Sequence, residues 1–101
     1  MKVNQYSKFL GTLSSKKRFA IIHLLLEKGS LNVTQIGSNL KFEQSTVSHH
    51  LKRLMICHYI FQEKNGKEHI YKLNEKTIKP LLKIIDKHVK DYCFCGASCG
   101  K

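Results

Sequence analysis

The sequence predicts a mostly helical α+β domain with one small β-hairpin. The chain has 101 residues, which is enough for one compact domain. Five segments show apolar spacing or end signals that favour helices, and two β-prone runs lie on either side of an Asn-Gly pair. The predicted order of elements is α-α-α-α-β-β-α.

The first two predicted helices differ in character. Residues 2–10 predict a short helix that ends near Gly11. A second helix starts after Ser14 or Ser15, because a serine hydroxyl can accept a hydrogen bond from the free amides of a first turn. It continues to the residue before Gly29 and is apolar almost all round, which places it in the middle of a core.

Two further helices are predicted on either side of a turn of three or four residues. The first spans residues 33–40 and the second spans residues 44–56. Val47, Leu51 and Leu54 form one apolar stripe on the second helix, so this stripe faces the core. The opposite face carries hydroxyl, imidazole and basic side chains and is therefore exposed.

After the helix over residues 44–56, the spacing of the apolar residues changes from a helical period to a strand period. Residues 59–63 and 69–73 are β-prone runs, and Asn65 and Gly66 lie between them. Asn-Gly favours a type I′ hairpin turn, because both residues tolerate a positive φ. We therefore expect a two-stranded hairpin with Asn65-Gly66 at its tip.

A last helix is predicted over roughly residues 75–92; because Pro80 falls in its early part, we expect the regular helix to start at Lys79, with Pro80 in its first turn. One face of this helix is apolar and needs a partner to cover it: Ile78, Leu81, Leu82, Ile85, Val89 and Tyr92. We expect residues 1–92 to form the folded domain and residues 93–101 to form a cysteine-rich tail.

The charge balance is strongly basic. Eighteen Lys and Arg residues face seven Asp and Glu residues, giving a formal charge of +11 and a pI near 9.7. Such a surface attracts polyanions, with nucleic acid first and an anionic membrane second. No apolar run approaches the roughly 20 residues of a membrane span, and the first residues lack a signal-peptide pattern. We expect a cytoplasmic protein without a membrane partner.

Helix, turn, helix and hairpin in this order are typical of a winged helix-turn-helix, whose second helix enters the major groove of DNA. Glutamine can bond adenine edges, hydroxyls and imidazoles can bond bases or phosphates, and cations contact phosphates. The alternative is that these polar side chains are merely solvated and that the hairpin has no DNA role. The expected DNA-binding residues are Gln44, Ser45, Thr46, Ser48, His49, Lys52 and Arg53 on the helix, and Lys64, Asn65 and Lys67 at the wing tip.

The segment from Leu13 to Leu73 resembles the ArsR/SmtB family of metal-responsive repressors. The run QSTVSHHLKRL, residues 44–54, looks like the family's recognition helix, and LSSKKR, residues 13–18, resembles the entry to its central helix. The resemblance implies a homodimer packed through the first and last helices. It also implies binding to double-stranded DNA with an inverted-repeat operator, and release when an inducer binds.

Two metal sites of such repressors are not matched here. Where some members carry Cys-x-Cys, this chain has Asn32 and Thr34, which are not soft ligands. Asp86 and His88 match the opening of a second family site on the last helix, but its later His and Glu ligands are missing.

Three cysteines instead cluster in the tail: Cys93, Cys95 and Cys99. Three thiolates with short spacers can wrap a soft ion, and a trigonal sulfur site suits As(III) or Sb(III). A fourth ligand, Cys57 or His88, would make a tetrahedral site for Zn or Cd. Taken alone, Cys57 is better explained as a small buried hydrophobe than as a ligand, because free cysteines are commonly buried.

The sequence therefore predicts a homodimeric repressor that releases its operator when a soft metal or metalloid ion, As(III) first, binds the tail thiolates. One alternative is a repressor of the same fold that senses thiol oxidation or persulfide. An alternative of another class is a winged-helix module for protein interaction or a membrane surface, without operator specificity. No Ser/His/Asp order, phosphate loop or carboxylate pair predicts an enzyme.

Overall fold

The computed structural model describes residues 2–92, which form five helices and one three-stranded antiparallel sheet. No helix in this range combines the length and apolarity needed to cross a membrane. The elements are α1 (Val3–Ser14), α2 (Lys16–Lys28), β1 (Leu31–Asn32), α3 (Val33–Leu40), α4 (Gln44–Ile56), β2 (Ile60–Asn65), β3 (Glu68–Leu73) and α5 (Ile78–Tyr92).

The second helix lies at the centre of the core, as its apolar composition predicts. Four of its residues are buried: Ile21, Ile22, Leu24 and Leu25. Its ends are also as predicted, since the Ser15 hydroxyl accepts a hydrogen bond from the Arg18 amide and Gly29 closes the helix with a φ of 83°. The buried side chains of α3, α4, the sheet and the start of α5 join the same cluster.

The first helix is longer than predicted. It runs through Gly11 to Ser14 instead of ending near Gly11. Glycine in a helix costs only about 1 kcal/mol relative to alanine, and packing of this turn outweighs that cost. Phe9 stacks on the buried ring of Tyr59 at 4.8 Å, and the Tyr59 hydroxyl donates a hydrogen bond to the Phe9 carbonyl. Thr12, one residue beyond Gly11, is buried.

The sheet contains one strand that the sequence did not predict. Its order is β1-β3-β2, and the short β1 pairs with β3 through Leu31–Tyr71 and Asn32–Ile70. A two-residue strand has no period to detect in a sequence, so only its pairing partner defines it. This pairing attaches the start of the helix-turn-helix to the hairpin.

The hairpin is present, but its turn differs from the type I′ turn that we expected. Asn65 pairs with Glu68, so Gly66 and Lys67 are the two loop residues. Gly66 has a φ of 68°, whereas neither Asn65 nor Lys67 is among the residues with positive φ. Glycine at the first loop position is the pattern of a type II′ turn, which requires a positive φ there alone.

The helix-turn-helix has the predicted helix boundaries and a tight junction. A Cβ atom at Gly37 would lie 3.1 Å from the carbonyl oxygen of Phe42, so a side chain at this position would push on the turn. Lys41 ends α3 in the left-handed conformation, with a φ of 59°. Asn32 and Gln35 cap its first turn reciprocally, in a capping box.

Among residues 2–92, the buried contacts of the last helix come from its first half. Ile78 and Leu82 are buried, and Pro80 lies in the first turn as predicted. Three apolar side chains between the middle of the helix and its end are exposed: Ile84 (67% exposed), Val89 (46%) and Tyr92 (72%). From Ile84 onwards, α5 thus presents an apolar surface that the described part of the chain leaves uncovered.

Candidate nucleic-acid interface

The orientation of α4 is fixed by its apolar stripe. Val47, Leu51 and Leu54 are all buried, with exposures of 0, 1 and 0%. Because an α-helix has 3.6 residues per turn, this stripe turns Ser45, His49 and Lys52 in the opposite direction. These three side chains are exposed. The helix therefore presents a polar, basic face to the surroundings.

The ten residues expected to contact DNA divide into two groups that the fold places on α4 and on the hairpin. Six of the seven on α4 are exposed, and Thr46 is half-buried. The three at the hairpin are all exposed, at the end of β2 and in the loop. Exposure makes all of these side chains available to a ligand except Thr46, which is available only in part.

The hairpin forms a projecting wing. Its outer strand, β2, is an edge strand, and every residue of β2 after the buried Ile60 is exposed. Lys72 on β3 forms a 3.3 Å ion pair with Glu63 on β2. The two cations nearest the tip, Lys64 and Lys67, have no carboxylate partner within residues 2–92.

Few carboxylates offset the positive charge of this face. The helix α4, which corresponds to the segment that resembles a recognition helix, contains no acidic residue. The ion pairs found among the described residues involve the end of α2, the middle of the wing and the second half of α5. Positive charge on α4 is therefore free to attract an anionic partner over a long range.

The start of α2 lies beside α4, which the sequence did not predict, and the surroundings of His50 on α4 show it. His50 is half-buried, and its Nδ1 atom is buried without a hydrogen-bond partner in the described region. Burial lowers the pKa of His50, and the nearby positive charges of Arg18, His49 and Lys17 lower it further. The start of α2 therefore lies beside the recognition helix. The run of three cations at residues 16–18 was the available signal, but only the tertiary fold brings it to α4.

The residues expected to hold a metal ion are only partly described. Cys93, Cys95 and Cys99 lie outside the described residues. Cys57 is half-buried, with Sγ 3.7 Å from Thr12 Oγ1, and packs against the core. His88 is exposed and its ring lies 4.9 Å from that of Tyr92. Within residues 2–92, no three His, Cys, Asp or Glu side chains come together as metal ligands.

Asn32 and Asp86 lie at positions that correspond to metal sites in the repressors that the sequence resembles, but they make other interactions in this structure. Asn32 accepts a hydrogen bond from the Gln35 amide at 2.8 Å and donates one to Glu68 at 2.9 Å. Asp86 forms a 3.1 Å ion pair with Lys90. Asn32 therefore serves as a helix cap, and Asp86 pairs with a cation of its own helix.

Comparison with known proteins agrees with this geometry. Residues 15–60 match the family model of the bacterial regulatory proteins of the arsR family. An arsenical resistance operon repressor from Staphylococcus xylosus is 33% identical over 78 residues, covering 77% of this chain and 74% of the relative. The chain belongs to the ArsR family. As an ArsR-family transcriptional repressor with a winged helix-turn-helix, it is a DNA-binding protein and not an enzyme.

Other ArsR-like proteins extend the comparison. The transcriptional repressor PagR of Bacillus anthracis is 31% identical over 86 residues, covering 85% of this chain and 86% of PagR. Its crystal structure gives a TM-score of 0.72 at 30% identity, covering 82% and 94% of the two chains. A domain of Mb0332 from Mycobacterium bovis, described as homodimeric, has a TM-score of 0.82 over 90% of this chain and 83% of that domain. At 18% identity it supports the fold alone.

The lowered pKa of His50 predicts an acid-sensitive fold. Because the unfolded chain binds a proton at this imidazole more readily than the folded chain, acidification favours unfolding. The contribution of His50 to the free energy of unfolding is complete above the ordinary pKa of 6.5 and is lost as pH falls below it. Urea unfolding between about pH 8 and about pH 5 should show a smaller loss of stability in His50→Gln than in wild type.

His49→Gln is the matched control for this experiment, because His49 is the exposed neighbour on the same helix. We expect it to keep most of the wild-type pH dependence. Parallel stability curves for His50→Gln and wild type would contradict the assignment.

Proposed function

We propose that this ArsR-family repressor acts as a homodimer, contacts an inverted-repeat operator through α4 and the wing, and releases it when a soft metal or metalloid ion binds the tail thiolates. The observation that carries the DNA contact is the α4 face opposite the buried stripe. There, side chains able to bond bases and cations able to bond phosphates share one exposed surface.

The proposed roles on that surface follow from side-chain chemistry. Gln44 begins α4 and can make two hydrogen bonds to adenine, while Ser45, Ser48 and His49 can bond base edges or phosphates. Five basic or amide side chains are assigned contacts with phosphates or with the minor groove: Lys52, Arg53, Lys64, Asn65 and Lys67. The partly covered Thr46 is assigned a supporting contact at the edge of this face.

Dimerisation is supported by the apolar surfaces of the two terminal helices. Val3 (75% exposed), Tyr6 (48%) and Leu10 (58%) are exposed on α1. The exposed apolar side chains between Ile84 and Tyr92 on α5 provide a second such surface. A second copy of the chain would remove both from water, and a dimer would present two recognition helices to successive major grooves, roughly 34 Å apart.

Changing one exposed residue of α5 tests the dimer. Ile84→Lys should shift the protein to monomer, because it places a charge in the proposed apolar interface. Ile56→Lys is a matched control, since Ile56 is 68% exposed and Ile84 is 67% exposed. Sedimentation analysis should show a dimer for wild type and for Ile56→Lys. Equal dimerisation of both variants would exclude α5 from the interface.

A pair of variants on α4 tests the DNA contacts. Lys52→Gln should weaken binding to all duplexes and reduce the slope of log K against log salt by about 0.9 for each lost phosphate contact. Gln44→Ala should instead lower the preference for operator over altered bases by about 1–3 kcal/mol. Fluorescence anisotropy over a salt series measures both, and a change in sequence preference alone in Lys52→Gln would contradict its phosphate role.

The proposal that a soft ion is the inducer depends on the three thiols of the tail and on the names of related proteins. Relatives from Staphylococcus xylosus, Staphylococcus aureus and Bacillus subtilis are named arsenical resistance operon repressors. Cys93, Cys95 and Cys99 provide three soft donors within seven residues, directly after the proposed dimer helix. Cys57 and His88 remain the candidates for an additional ligand. A coupling free energy of about 1–3 kcal/mol between ion and DNA binding would suffice for release.

Replacing the central tail thiol tests this inducer site. Cys95→Ser should bind operator as wild type does but should fail to release it on addition of arsenite, because one of three sulfur ligands is lost. Cys57→Ser is the control for a thiol outside the tail. Operator release is followed against arsenite, antimonite, cadmium, zinc and an oxidant. A normal response of Cys95→Ser to every ion excludes the tail site, and a response to oxidant alone favours thiol oxidation.

A further inference from the structure

A basic cleft lies where α1, the start of α2 and the end of α4 meet. Lys8, Arg18 and Arg53 contribute one cation from each helix, and the side chains of Thr12 and Cys57 complete the walls. The cleft is open and has a volume of about 470 Å³. None of the described residues that line it is acidic.

The three cations are available to an anion. Lys8 and Arg53 are exposed, and Arg18 is half-buried. Within the described chain none of them forms an ion pair with a carboxylate. Arg18 is held in position, because its Nε donates a 3.1 Å hydrogen bond to the carbonyl oxygen of Thr12. This bond leaves the two terminal guanidinium nitrogens for a ligand, and an arginine fork fits phosphate oxygens.

The cleft is continuous with the face proposed to contact DNA. Arg53 belongs to α4 itself, on the flank next to the exposed stripe of Ser45 and His49. The positive charges of Arg18 and Lys17 reach His50 of the same helix. Arg53 lies nine positions after Gln44, which corresponds to about 13 Å along the helix. A duplex read by the start of α4 therefore extends past the cleft.

We propose that this cleft binds a phosphate of the DNA backbone next to the base pairs that α4 contacts. The inference depends on the proposed function and adds α1 and α2 to the DNA-binding surface. The proposed ligand is a backbone phosphodiester and not a free phosphate, because one wall of the cleft is the recognition helix α4 itself. At 3.4 Å per base pair, the separation of about 13 Å along α4 places this phosphate at most about four base pairs from the contact of Gln44.

The test removes the cleft cation that lies farthest from α4 in sequence. Lys8→Gln should reduce the slope of log K against log salt by about 0.9 for each cleft, and lower affinity for operator about five-fold per cleft near 0.15 M salt. Lys28→Gln is the matched control, because it loses the same charge at the opposite end of α2. The control should keep the wild-type slope.

A charge-conserving variant and a shortened duplex complete the experiment. Lys8→Arg should restore the slope and affinity, which separates a charge effect from a folding defect. An operator trimmed by about four base pairs on each flank should lower wild-type affinity towards that of Lys8→Gln and leave the variant nearly unchanged. Inorganic phosphate, exchanged for chloride at constant ionic strength, should not displace the full-length operator.

The outcomes distinguish this proposal from the proposed function. Equal salt slopes for Lys8→Gln and Lys28→Gln overturn the phosphate site, even when operator preference is normal. Displacement of the full-length operator by phosphate from wild type, but not from Lys8→Gln, overturns the choice of DNA as the ligand. A wild-type protein without operator preference overturns the proposed function, whereas the difference between the two lysine variants remains measurable on any duplex.

Discussion

Burial of the inner stripe of α4 against the core around α2 determines the orientation of every other functional surface. With Val47, Leu51 and Leu54 inside, the rotation of α4 about its axis is fixed, and its polar face is turned outward. The tight α3–α4 junction at Gly37 fixes its angle, and the sheet continues from its end. A recognition helix needs this rigidity, because base contacts depend on side chains held in register with a groove.

The distribution of charge complements this geometry. The seven carboxylates of the chain are few, and those in ion pairs lie away from the outward face of α4. Burial disfavours protonation of His50 on α4, and the cations at the start of α2 disfavour it further. Such repulsion is a cost to the free protein, and a polyanion bound at this surface would relieve it. The charge arrangement thus agrees with a protein selected to bind DNA.

Sequence patterns predicted the elements that have their own periodicity or end signals. The boundaries of α3 and α4 were confirmed because the apolar spacing and the short turn are local features. The extent of α1 was wrong because packing of Phe9 on Tyr59 outweighs the effect of Gly11. The strand β1 was missed because only pairing with β3 defines it. The approach of Arg18 to α4 was missed for the same reason, since it depends on helices that are distant in sequence.

The burial of Tyr59 also shows how α1 is attached to the domain. Burial raises the pKa of Tyr59 to about 12, with a further increase from Cys57 against an opposing effect of Arg18. Its hydroxyl therefore stays protonated at physiological pH and keeps donating to the Phe9 carbonyl.

The capping role of Asn32 limits how the ArsR scaffold can be re-engineered. A thiol placed there to build an arsenic sensor would remove the side-chain cap of α3, at a cost of about 1 kcal/mol. It would also leave Glu68 without its amide donor at the base of the wing. A designer who transplants a sensor into this helix must therefore supply a new cap and a new neighbour for the glutamate in the same step.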